Sequence, residues 1–416
     1  MDDIEDIEDI EDIEDTGDTG DTGDIGDVEG AEGVGDAGDT GDIGGAEGVE
    51  DMGGVEGVED GGGTQGVEGV GDMGGVGDIG GGGGVAGQVT VGGRGLPVVA
   101  ERLGPAPGRD AAHDMDEVLS RAMAWVEGNL DAFVPDAAVW PPGTPQRHMA
   151  LLLDLAITCH LVCRRKTSVR RTAEKALDGV AEVFHRDSFH DQLLRTATSF
   201  PYYLWLLAIL WETGRLRDPR TRAAAQRLAD AGHGDLGNPA RPAYGLMESR
   251  YILDLCGFSH RLPPLDELYG RTAFGAPVNP VYVTEAAAYE VTHAVFFLSD
   301  FAARPFPVLA PGARDQGAAA VDLLLGVHIC SGHWDLVSEL IVCRRALGRP
   351  ESDLDRLGRS CLALAQLGEG AMPGPRFDLA ERDALPPEKR ATYTFARCYH
   401  TTLAAVLCAA TDGPLR

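Results

Sequence analysis

The chemistry within reach of this chain rests on histidines and carboxylates set into otherwise apolar helical runs. The densest run is Tyr282-Val-Thr-Glu285-Ala-Ala-Ala-Tyr289-Glu290-Val-Thr-His293, which continues through apolar residues to Ser299-Asp300-Phe301. Glu285, Tyr289 and His293 are spaced by four, so a helix places them on one face. Glu290 and His293 are three apart and can share a face as well. Glu-x-x-His is the spacing used by carboxylate-bridged di-metal bundles, and a second copy stands at Glu182-Val-Phe-His185. Such a centre also needs a Glu from each of two further helices, for which Glu212, Glu248 and Glu339 are nominal candidates. Four-residue spacings recur by chance, so no metal-ligand set is assigned and no cofactor is named. A buried, hydrogen-bonded structural histidine is the competing account of His293.

Two further clusters carry the same residue types. In His328-Ile-Cys330-Ser-Gly-His333-Trp334-Asp335-Leu-Val-Ser-Glu339, the Ser-Gly pair reads as a helix end, and His333 to Asp335 open the next helix. Asp335 in a first turn also has a purely structural role, because the helix dipole favours an acid there. Tyr399-His400-Thr-Thr sits in the C-terminal run between Phe395 and Leu403, where a histidine is usually a satisfied core residue. The candidate catalytic set is therefore His293, Glu290, Tyr289, Asp300, His333, Asp335 and His400. In that set a histidine acts as general base or ligand and a neighbouring carboxylate orients it. The sequence has no Gly-x-x-x-x-Gly-Lys-Ser/Thr loop, no Gly-x-Ser-x-Gly elbow and no His-Glu-x-x-His. Arg164-Arg165-Lys166 with Arg170-Arg171 reads as a solvated helix end, or more sharply as an anion site.

The elements that must position these residues are helices. A helix opens at Asp114-Met-Asp-Glu117, and Thr144-Pro145 matches an N-cap and N1 proline for the next. Helical periodicity then predicts runs over 168–185, 188–198, 202–213, 219–231, 242–257, 284–301, 314–329, 333–347, 353–370 and 391–410, with Gly/Pro breaks between many of them. No alternating strand pattern of useful length occurs. The expected fold is all-α: about a dozen antiparallel helices in an α/α toroid-like or irregular helical domain, spanning 96–416.

Residues 1–95 differ in kind. They hold 28 of the 66 acidic residues, one arginine, 33 of the 56 glycines and no aromatic residue. Their three-residue period suits neither helix nor strand, and collagen is excluded by triplets lacking Gly and by the absence of Pro. With nothing to bury and like charges throughout, this segment is expected to be a disordered acidic tail. The remaining 321 residues carry a net charge of −4, which excludes a basic nucleic-acid binder. The longest apolar stretches fall well short of the roughly 18–20 residues that span a bilayer, and the first residues show neither the positive n-region nor the apolar h-region of a secretion signal, so none is expected. Eight Cys lie mostly within apolar helical runs, with no Cys-x-x-Cys pair, and are expected to be free thiols in a cytoplasmic protein. The pattern sets no oligomeric state.

The segments Leu152–His160, Leu246-Met-Glu-Ser-Arg250 to His260, Tyr289-Glu-Val-Thr-His293 to Asp300-Phe301, Trp334-Asp-Leu to Glu339-Leu, and Cys398-Tyr-His400-Thr resemble a family of helical actinobacterial proteins. The likeness covers about 115–411. Ala302 stands where that family usually has Gly, and Thr402 where it usually has an aromatic residue. Members of the family often lie near natural-product genes, and the resemblance implies a helical fold with no assigned reaction.

Two functional classes follow. One is a tailoring enzyme acting on a small molecule or peptide through a His/carboxylate pocket, with neither nucleic acid nor membrane as partner. The other is a non-catalytic helical binding or scaffold protein. The first requires histidines that converge in a recess that solvent reaches, and the second leaves them scattered.

Overall fold

The computed structural model describes residues 111–134, 146–186, 189, 196–276, 282–307, 309 and 312–412, all within one compact unit. The acidic tail, the proposed boundary at 95–96, and the Thr144-Pro145 cap lie outside the described residues. Fourteen α-helices are present among those described, with no strand: α1 Ala111–Gly128, α2 Leu130–Phe133, α3 Gln146–Arg165, α4 Arg170–Phe184, α5 Phe200–Glu212, α6 Pro219–Asp230, α7 Ala243–Cys256, α8 Leu265–Leu268, α9 Glu285–Ser299, α10 Ala313–Ser331, α11 Trp334–Ala346, α12 Asp353–Ala365, α13 Leu379–Ala384 and α14 Pro387–Ala410. The all-helical reading holds.

Six of these helices pack pairwise in a closed cycle. α3 contacts α5, α5 contacts α7, α7 contacts α9, α9 contacts α11, α11 contacts α14, and α14 returns to α3. α1, α4, α10 and α12 pack against this cycle. Sequence explains the central place of α11. Twelve of its thirteen residues are buried, including Asp335, Glu339 and Arg344, so it has no solvated face to turn outward. By contrast α4 is strongly amphipathic, with Ala173, Ala176, Leu177, Val180 and Phe184 buried and Glu174, Lys175 and Asp178 facing water.

Local signals set the helix ends. Thr284 caps α9 through its hydroxyl, which accepts from the Ala287 N–H at 3.2 Å. α10 stops at Gly332, whose φ of +73° suits glycine. Ser352 and Asp355 form a reciprocal capping box on α12. That helix ends at Ala365, five residues before the expected 370. The cause is tertiary: the Gln366 side chain leaves the helix to donate to the carbonyls of Val118 and Gly370. Gly370 then approaches α1 so closely that a Cβ would meet the Arg121 carbonyl oxygen at 2.3 Å.

α9 also ends earlier than the expected 301. Asp300, Phe301 and Ala302 all take positive φ, of 50°, 52° and 59°. Such a run is costly for residues with a Cβ. It is held by Arg164 on the Asp300 carboxylate at 3.3 Å, Tyr251 O–H on the same carboxylate at 2.8 Å, and Arg165 on the Phe301 carbonyl at 2.9 Å. The left-handed backbone at Ala302 is the physical reason a glycine suits that position.

Candidate functional site

α11 carries Asp335 in its first turn and Glu339 one turn later, so both carboxylates leave the helix on one face. α14 brings His400 to that face. One donor atom from each of Asp335, Glu339 and His400 lies within 4.8 Å of the others. The His400 Nε2 atom is 3.5 Å from Asp335 Oδ2, while its Nδ1–H donates to Asp154 of α3 at 3.0 Å. α9 supplies two hydroxyl donors: Tyr289 O–H to Asp335, and Thr292 O–H to Glu339 at 2.5 Å. Polar contacts therefore run around the helix cycle from α3 through α14 and α11 to α9.

His293 extends that chain. Its Nδ1 lies 2.8 Å from the Tyr289 carbonyl, which can only accept, so Nδ1 carries the proton and the neutral ring leaves Nε2 bare. Its ring stands edge-on to Tyr289 and Phe297 and tilted against Phe296, and the charge of Glu248 on α7 acts on it. His333 is the N-cap of α11: its Nδ1 accepts from the Leu336 N–H at 3.4 Å, and its Nε2 is 3.2 Å from Glu285. The His333 and His293 rings each lie 6.2 Å from the Tyr289 ring.

The cluster has a dry floor and a wet rim. Asp335 and Glu339 are buried, whereas 42% of the His400 side chain and 27% of Asp154 remain accessible.

Burial sets the electrostatics, and charge pairing decides its outcome. Burial pushes Asp335 up, but the His400 charge with hydrogen bonds from His400 and Tyr289 holds it below the ordinary range. Burial and the Asp335 charge together push Glu339 up. Burial opposes protonation of His400, yet Asp335 and Asp154 raise it well above the usual histidine value. Burial lowers His293 and raises Glu248. Burial and the neighbouring Asp335 also raise Tyr289, which stays a hydroxyl donor. Two carboxyls held in unlike states side by side are a feature of acid–base sites, and a feature of structural ion clusters too.

Of the residues chosen from sequence, the structure brings together Tyr289, His293, His333, Asp335 and His400. Glu290 and Asp300 stand elsewhere. Glu290 points toward the 269–276 turn, where it accepts from the Ala273 N–H. Asp300 ends α9 in the ion group with Arg164 and Arg304. The second Glu-x-x-His copy is also apart: Glu182 is exposed on α4, and His185 Nε2 meets the Arg215 carbonyl at 3.2 Å. Of the nominal carboxylates, Glu339 lies in the cluster, Glu248 faces His293, and Glu212 pairs with His160 at 3.4 Å. The basic run is tied down, with Lys166 on Asp116 at 3.1 Å. Asp154 was missed. Its signal was present in Leu151-Leu-Leu-Asp154-Leu-Ala, a lone acid inside an apolar helical run.

Fold and site together define an all-helical protein whose ring of six helices carries a His–carboxylate centre. The chain matches the family described as Domain of unknown function (DUF6895) over residues 119–410, and it belongs to that family. That span contains every residue of the cluster. No curated protein matches the chain. No described helix is long and apolar enough to cross a membrane.

Proposed function

We propose that this protein is an enzyme that acts on a small molecule or peptide at the solvent-accessible side of His400, with Asp335, Glu339 and His400 as its reactive groups. The observation that carries this reading is the convergence of those three side chains from two helices to within 4.8 Å, at the boundary between a buried floor and a solvated rim. A structural ion cluster has no need of an accessible histidine, whereas a substrate has. His293 and His333 flank the same Tyr289. The chemistry that suits these groups is polarisation of a carbonyl and movement of protons. Covalent catalysis by a thiol is disfavoured: Cys343, beside Thr292 and Glu339, is fully buried, and that burial keeps its thiol protonated. Eight unpaired cysteines fit a reducing compartment such as the cytoplasm. The likeness to proteins found near natural-product genes supports a small molecule or peptide as substrate.

The test is turnover. Purified full-length protein is incubated with small-molecule and peptide extracts, and masses consumed or formed are compared with those for Asp335→Asn and His400→Gln. Features that change with the native protein alone, while both variants melt cooperatively near the native temperature, support the enzyme. If no feature changes and both variants lose several kcal/mol of stability, the cluster is structural and the scaffold reading replaces this one.

A further inference from the structure

We propose that Asp335, Glu339 and His400 form a three-ligand site for one divalent transition-metal ion. This deepens the catalytic reading and rests on the same cluster, but metal binding can be measured without any substrate.

Four observations carry it. The donors are two carboxylate oxygens and one imidazole nitrogen, and they lie within 4.8 Å of one another. Donors around one ion at about 2.1 Å sit roughly 3–4 Å apart, so closure needs about 1 Å of side-chain movement. His400 is presented as a ligand: Asp154 takes its Nδ1–H at 3.0 Å, which aims Nε2 at the carboxylates. A carboxylate behind a ligating histidine is the usual support for such a ligand. Each carboxylate is backed as well, Asp335 by the Tyr289 hydroxyl and Glu339 by the Thr292 hydroxyl.

The fourth observation is an orphaned atom. Asp335 is 1% exposed, and its Oδ1 is buried with no hydrogen-bond partner, although Oδ2 is well supplied. A buried carboxylate oxygen left bare is costly, and a cation satisfies it. The nitrogen donor favours Mn²⁺, Fe²⁺, Co²⁺ or Zn²⁺ over Mg²⁺ and Ca²⁺, which prefer all-oxygen sets. Three protein ligands leave a further position open on the side where His400 and Asp154 reach solvent, as in catalytic rather than structural metal sites. There an ion would polarise a substrate carbonyl or activate a water.

The experiment uses full-length protein stripped with chelator and titrated with Zn²⁺, Mn²⁺ and Co²⁺ by calorimetry, with Co²⁺ also followed by its visible absorption. Any weak binding of divalent ions by the 28 acidic residues of 1–95 would be common to every variant, so the variant series carries the test. The native protein should take up one tight equivalent per chain and show a Co²⁺ band, with Mg²⁺ in large excess failing to compete. Glu339→Gln and His400→Gln should each lower affinity at least 100-fold. Asp154→Asn, which alters only the positioning of His400, should weaken it about 10–100-fold and shift the Co²⁺ band without abolishing it. Glu290→Gln, outside the cluster, should bind like the native protein. Absence of a tight equivalent, or a tight equivalent that survives in both Glu339→Gln and His400→Gln, overturns the proposal. Should His400→Gln fail to fold, Glu339→Gln and the native Co²⁺ band decide it. A protein without the tight site whose turnover still depends on His400 would refute the metal alone. A protein that binds the ion but turns nothing over would refute the catalytic reading alone.

Discussion

Replacing Arg344 with methionine should destabilise the protein by about 3 kcal/mol, by loosening the helix that carries Asp335 and Glu339. Arg344 is 4% exposed on α11. Its Nε donates to Asp355 of α12 at 2.8 Å, its Nη1 pairs with Asp322 of α10, and its Nη2 donates to the Ser352 hydroxyl at 3.0 Å. It thus ties α11 to α10 and α12. Breaking one side of a buried ion pair costs about 3–5 kcal/mol, because the partner charge is left uncompensated. The lower end applies here. Asp355 keeps the Ser352 N–H at 2.8 Å and the Ser352 hydroxyl at 2.7 Å, and Asp322 keeps Arg349 at 3.2 Å. At about 2 °C per kcal/mol for a domain of this size, the melting temperature should fall by about 6 °C. Thermal and urea melts of Arg344→Met, Asp355→Asn and the double variant give the coupling energy, expected above about 1.5 kcal/mol. The loss should also depend on pH. Burial raises the Asp355 pKa, but Arg344 and Ser352 outweigh it and hold the group below its ordinary 3.8. A depressed carboxylate stabilises the fold above its unfolded pKa, and that contribution disappears as pH falls through the folded value. The penalty of Arg344→Met should therefore be larger at pH 6 than at pH 3. A loss under 1 kcal/mol at pH 6, or a coupling near zero, would refute the clamp.

Three further outcomes follow from the same structure. His293→Ala should cost less than about 1.5 kcal/mol, since its Nδ1 meets only the Tyr289 carbonyl and the Thr292 hydroxyl of its own helix, and Thr292 keeps Glu339 as partner; a loss above 3 kcal/mol in a urea melt would assign His293 a structural role. Burial, aided by His333, lowers His328 from 6.5 to about 4, so its contribution to stability should be full above pH 6.5 and fall by up to about 3 kcal/mol as pH drops toward 4. His328→Leu should flatten that slope, and an unchanged slope would show that another group causes it. Thiol titration of native protein should find Cys330 reacting fast, because it is the one exposed cysteine, with all eight reacting after denaturation without reductant; fewer than eight would reveal a disulfide.

Much of the fold was legible because helix formation is local. The apolar periodicity of 200–212 and 334–346, the Gly332 stop and the acidic first turns depend on neighbours within about four residues; the expected run 188–198 lies mostly outside the described residues, and the other expected runs match observed helices to within about five residues. Where boundaries differed, at 365 and 299, a distant group intervened: Val118 and Gly370 with Gln366, and Arg164, Arg165 and Tyr251 with the turn after α9.

The candidate site divides in the same way. Sequence alone determined which residue types occur and which of them share a helix face. It placed Tyr289 with His293, and Asp335 one turn from Glu339, because a 3.6-residue repeat is a property of a single helix. Only the tertiary structure decided that these two faces meet each other, that His400 of α14 joins them, and that Asp154 stands behind His400, 246 residues away along the chain. It equally decided that Glu290, three residues from His293, takes no part. The physical reason is that helix pairing is set by the fit of whole apolar faces over long sequence separations. A polar residue follows the face it is attached to, and its partners are whatever the opposing helix presents there.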